Sequence, residues 1–132
     1  CFWEQDVPLM SEKPFMENFR MSRQTFQLLC SKMTAMNKSD TNFRKCIPLQ
    51  KRIAIALYCL KSSSEYASIG HMFGVSKSSV CLILQEFCIE VWKALSEEYL
   101  PTNFINYTKI NECVDGFKKL GFPQCFGAIG ML

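Results

Sequence analysis

Ile69-Gly-His-Met-Phe-Gly-Val-Ser-Lys-Ser-Ser-Val-Cys-Leu-Ile-Leu84 is the stretch on which the fold turns. Its apolar residues Ile69, Phe73, Val75, Val80 and Ile83 fall at offsets that suit two short-spaced helices crossing steeply over one small core, the arrangement of a helix-turn-helix. Gly74 stands where the chain leaves the first helix, and a left-handed turn residue costs least as glycine. Ser76 is placed to cap the second helix by accepting from the backbone N–H of Ser78 or Ser79. The second helix then turns Lys77, Ser78, Ser79, Cys81, Leu82 and Gln85 away from the core. In a DNA-binding helix-turn-helix that outer face enters the major groove; a helical hairpin that only packs or pairs is the plainer reading of the same offsets.

Outward from this stretch the helical period continues. Val80, Ile83, Leu84, Phe87, Val91 and Leu95 predict one long helix to about Glu97, stopped by Pro101. Upstream, Leu49, Ile53, Ala56, Leu57 and Leu60 mark a helix starting near Pro48, with Lys51, Arg52 and Lys61 expected on its wet face. Phe26, Leu29, Cys30, Met33 and Met36 mark another, capped by Ser22. Asn37 to Asn42 reads as a loop. A last helix is expected from about Lys109 to Leu120, ended by Gly121 and Pro123. Residues 1–14, with Pro8 and Pro14, read as a loosely packed lead-in, and 124–132 as an apolar tail resembling the first strand of a further domain. The expectation is an all-α, compact bundle of about five helices containing a helix-turn-helix, with the helical domain over 15–123.

Composition limits the function classes. The chain has 132 residues, 48% apolar and 20% charged, which is enough for one domain with a core and too apolar for a disordered tail. Its longest apolar run, Ile53–Leu60, is too short to span a bilayer. No basic stretch followed by an apolar one opens the chain, so secretion has no support, and a start at Cys1 suggests a fragment. Net charge is +3, unevenly spread. Residues 41–80 carry Arg44, Lys45, Lys51, Arg52, Lys61 and Lys77 against Glu65 alone, so positive charge gathers around the helix-turn-helix, where a phosphate-facing surface needs it.

Eight cysteines at 1, 30, 46, 59, 81, 88, 113 and 125 include no C-x-x-C pair, and His71 is the only imidazole. Structural zinc needs closer spacing. Cys30, Cys59, Cys88 and Cys113 lie in apolar periodic segments, as small hydrophobes do. Reduced thiols of a nuclear or cytosolic compartment fit this usage. No carboxylate pair suggests a metal site; Glu86 and Glu90 are i,i+4 neighbours of the kind usually found solvated. His71 has no Asp, Cys or Ser at a spacing that implies a catalytic triad.

Four landmarks in order carry a resemblance: Glu17-Asn-Phe-Arg-Met-Ser-Arg-Gln-Thr-Phe26, Ile47-Pro-Leu-Gln-Lys-Arg-Ile-Ala-Ile-Ala-Leu57, the turn Gly74-Val-Ser76, and Gly121-Phe-Pro-Gln-Cys-Phe-Gly-Ala-Ile129. Together, over about residues 15–129, they resemble the N-terminal helical region of the Harbinger transposases and the nuclease derived from them. The resemblance implies a two-part protein, a helical DNA-binding region followed by an RNase H-like DDE nuclease domain whose three acids hold two divalent metals. In that family Gly-Ala-Ile runs into the first acid, whereas Gly130 stands there in this chain. The expectation is therefore double-stranded DNA binding in the nucleus, with no catalytic residue, metal or other cofactor, membrane or small-molecule substrate for this chain. Lys77, Ser78, Ser79, Cys81 and Gln85 would face bases or phosphates, and Arg44, Lys45, Lys51 and Arg52 would add backbone affinity. Two rivals follow from the same resemblance. One is a protein-interaction module docking a Myb-like companion; the other is a truncated piece of a full metal-dependent DDE nuclease.

Overall fold

A computed structural model describes residues 1–40, 45–100 and 106–130; Arg44, the end of the Asn37–Asn42 loop, Pro101 and the last two tail residues lie outside the described residues. Among these the chain is all helical, with no strand: α1 (Phe2–Gln5), α2 (Glu12–Phe19), α3 (Arg23–Lys32), α4 (Leu49–Lys61), α5 (Tyr66–Phe73), α6 (Lys77–Tyr99) and α7 (Tyr107–Lys119). Two 3-10 turns, Val7–Leu9 and Thr34–Met36, join them. Contacts divide the chain into a unit of Cys1–Ala94 and a unit of Leu95–Leu132, the division falling within α6.

The first unit is built around α4. Six consecutive residues, Lys51 to Ala56, are buried, so this helix is covered on all sides near its start. The helices α2, α3 and α5 all pack on it. Phe15 and Phe19 of α2 meet Phe26 of α3 in an aromatic cluster, with ring centroids 4.6 to 6.0 Å apart. Ser22 caps α3 as its position predicts, its hydroxyl accepting from the Thr25 N–H at 3.1 Å. Phe26, Cys30, Met33 and Met36 are buried and Leu29 is half-buried, as the spacing requires.

Three expectations are corrected. Residues 1–14 are not loosely packed. Val7 is buried, Phe2 stacks edge-on against Tyr58 and Phe73, and Trp3 lies against Phe26. Arg23 holds this segment down, its guanidinium donating to the carbonyls of Val7 and Met10 while lying over the Phe15 ring. Pro14 does not break the chain, because it occupies the first turn of α2, where a missing N–H costs nothing. Secondly, Lys51 and Arg52 do not stay wet. Both are buried and ion-paired, Lys51 with Glu4 and Arg52 with Glu86, because α1 and α6 close over that side of α4. Thirdly, Cys88 is exposed, so the helical period places it off the buried stripe.

In the second unit α7 starts two residues earlier than expected. Asn106 caps it, accepting from the Lys109 N–H at 2.8 Å. Gly121 follows its end with φ +90, a value that favours glycine. Ile110, Cys113, Val114 and Phe117 form its half-buried stripe. Residues 124–130 take no regular structure.

Candidate nucleic-acid interface

The α5–turn–α6 stretch is assembled by backbone chemistry that its residues dictate. Gly74 has φ +65 and ends α5 in the left-handed conformation. Its N–H, and that of Val75 at 2.9 Å, return to the Gly70 carbonyl, which closes the last turn of α5 as a Schellman arrangement. Ser76 begins α6, its hydroxyl accepting from the Ser79 N–H at 3.2 Å and meeting the Ser79 hydroxyl at 2.9 Å. The two helices are bent by 99° at this turn. That value falls within the range at which helix-turn-helix pairs cross. No single described helix is long and apolar enough to cross a membrane.

Sequence reading missed Gly70. A Cβ added there would lie 2.7 Å from the Val75 carbonyl oxygen, so the turn passes against a bare Cα. The available signal was a glycine inside a helix, where it costs about 1 kcal/mol against alanine unless packing needs it.

Ile69, Phe73, Val80, Ile83 and Phe87 are buried and hold α5 and the first half of α6 on the core. This leaves Lys77, Ser78 and Gln85 exposed on α6, with Cys81 half-buried. Ser79 is half-buried, its hydroxyl spent on the cap. Leu82 stands among the exposed residues at 65%. Beyond them on the same helix, Ile89 and Trp92 are exposed at 56% and 63%. His71 on α5 is exposed.

Of the cations expected to add phosphate contacts, Lys45 is exposed and Arg44 lies outside the described residues. Lys51 and Arg52 are withdrawn from any phosphate by burial and by their carboxylate partners. Glu86 is shared by Arg52 and by Lys38 at 3.0 Å, and Glu90 pairs with Lys93 at 2.8 Å, so the two helix carboxylates serve ion pairs. The hydrogen bond from Lys51 holds the Glu4 carboxyl below its usual value of 4.5. Burial pushes the Cys59 thiol up to about 11 and raises Cys30, so both stay protonated and inert at neutral pH. All eight cysteines are free. Among the described residues no group of three His, Cys, Asp or Glu side chains is arranged to hold a metal ion.

No protein-family model matches the chain, and no solved structure matches it. Two curated plant proteins do. Protein ALP1-like from Arabidopsis thaliana is 33% identical over 124 residues, covering 89% of this chain and 29% of the relative. Protein Antagonist of Like Heterochromatin Protein 1, also from Arabidopsis thaliana, is 29% identical over 143 residues, covering 97% and 34%. The chain thus spans about a third of the length of these curated relatives. With the four sequence landmarks, these matches make the chain homologous to the ALP1-like, Harbinger transposase-derived proteins.

Proposed function

We propose that this chain binds double-stranded DNA in the nucleus, with α5 and α6 as a helix-turn-helix and α6 as the helix that enters the major groove. One observation carries the reading. The first turns of α6, capped by Ser76 and set at 99° to α5, leave Lys77 and Ser78 exposed at the positive end of a long helix and Gln85 exposed two turns further on. Lys77 and Lys45 supply phosphate contacts, and Gln85 has the geometry to read an adenine edge with two hydrogen bonds. Lys51 and Arg52 have no part in it, being committed to Glu4 and Glu86.

The chain itself does not cut DNA in this reading. By the resemblance, Gly130 takes the place of the family's first metal-binding acid, so these residues supply no catalytic group in this reading.

Binding measured across a salt series tests the proposal. Affinity should fall steeply with salt as phosphate contacts release counterions. Lys77→Ala should flatten the log–log slope by about one unit, whereas Lys51→Ala should leave the slope unchanged. Supercoiled plasmid incubated with the chain and Mg²⁺ should remain supercoiled. A folded Lys77→Ala chain whose slope is unaltered would remove α6 from the interface.

A second reading has its own observation. Ile89 and Trp92 present an apolar surface one and two turns beyond Gln85, which suits a protein partner better than a base edge. A Myb-like companion docked there would leave the first turns of α6 open to DNA.

A further inference from the structure

We infer that Leu82 reads the C5-methyl group of a pyrimidine, thymine or 5-methylcytosine, in the DNA major groove. The inference rests on the DNA-binding reading above and adds a chemical group to it. A single exposed leucine is ordinary on a protein surface and would carry nothing alone. Its position gives it meaning. Ser78, Leu82 and Gln85 recur at spacings of four and three, so they share one helix face, and Leu82 lies between the two polar residues.

All three are exposed, Leu82 at 65%, and the buried stripe of Val80, Ile83 and Phe87 lies on the other side of the helix. Lys77 and the N–H groups that begin α6 make the end beside Ser78 positive, one to two turns before Leu82 and Gln85, so the surface is matched to an anionic partner. Base edges in the major groove present donors and acceptors, and the one apolar group displayed there is the methyl on pyrimidine C5. An apolar side chain flanked by a hydroxyl and a carboxamide complements such a methyl beside hydrogen-bonding edges. Ile89 and Trp92 continue the same face beyond Gln85, with no hydroxyl or carboxamide between them, and suit a different kind of partner.

The methyl has two sources in DNA, and the experiment separates them. Duplexes bound by the chain are selected from two random pools, one with ordinary cytosine and one with 5-methylcytosine. In the selected sites each thymine is replaced by deoxyuracil, and each 5-methylcytosine by cytosine, which removes only the methyl. Loss of one methyl should weaken binding about fourfold at one position, the effect of burying one such group. The same exchange should have no effect on Leu82→Ala. A response in the thymine series names thymine, and a response in the other names 5-methylcytosine. Binding that is indifferent to every methyl, or a methyl effect that persists in Leu82→Ala, overturns the inference and leaves DNA binding standing. A folded chain that retains no duplex from either pool overturns both.

Discussion

A methyl group added to Gly70 would press within 2.7 Å of the Val75 carbonyl oxygen, and the neighbour is backbone held by the turn. Gly116, inside α7, has nothing within 4 Å of the same added atom among the described residues. One substitution should therefore act with opposite signs at the two places. Gly116→Ala is expected to stabilise the protein by about 1 kcal/mol, the helix-propensity difference. Gly70→Ala is expected to destabilise it by roughly 1–2 kcal/mol, because overpacking outweighs that gain. Denaturant unfolding of both variants checks the pair, and equal effects would mean that the turn yields freely. Gly74 is limited differently: its φ of +65 is open to glycine and strained for a β-branched residue, so Gly74→Val should also lose stability, by about 1–2 kcal/mol.

At the scale of elements, α4 is tied to its neighbours by charge as well as by apolar packing. Arg52 is 6% exposed, pairs with Glu86 of α6, and has an Nε without a hydrogen-bond partner among the described residues. Taking away Glu86 would leave a buried cation uncompensated, which is far costlier than replacing both members. Glu86→Leu should therefore cost about 3 kcal/mol, while Arg52→Met combined with Glu86→Leu should recover most of that loss. Additive losses in the double-mutant cycle would show that the pair is not coupled. The Lys51–Glu4 pair ties α4 to α1 in the same way, and its contribution depends on pH. The folded carboxyl of Glu4 sits below 4.5, so its stabilisation is present above that pH and is lost as pH falls through the lowered value. Glu4 is half exposed, so the effect is small. Denaturant midpoints of the parent and Glu4→Gln should differ at neutral pH and converge in acid.

For the whole molecule, formal charge misstates the surface that a polyanion meets. Residues 41–80 carry six cations and one carboxylate in the sequence, yet Lys51 and Arg52 are buried against Glu4 and Glu86 from other parts of the chain. Of the other described cations in that stretch, Lys45, Lys61 and Lys77 are exposed, and in the proposed function Lys45 and Lys77 supply the positive character beside the start of α6. The contrast between Lys77→Ala and Lys51→Ala in salt-dependent binding follows from this. Lys77→Ala should alter the slope with stability kept, and Lys51→Ala should lower stability with the slope kept.

Much of the molecule was legible along the chain because its signals are local. Helical spacing located α3 to α7, Ser22 and Ser76 capped where their hydroxyls could reach the third following N–H, and Gly74 took the positive φ that its place demanded. These follow from a few consecutive bonds, and a sequence shows such distances directly. The rest depended on residues far apart. Phe2 and Trp3 have no period of their own, and only contact with Phe73 and Phe26 reveals that residues 1–14 belong to the core. Gly70 looks like a helix defect until the turn is folded against it. Lys51 and Arg52 lie in a basic cluster by sequence, and 47- and 34-residue separations bring them the carboxylates that bury them. Spacing fixes which face a residue occupies on its own helix; what covers that face is decided by packing energies summed over the whole fold.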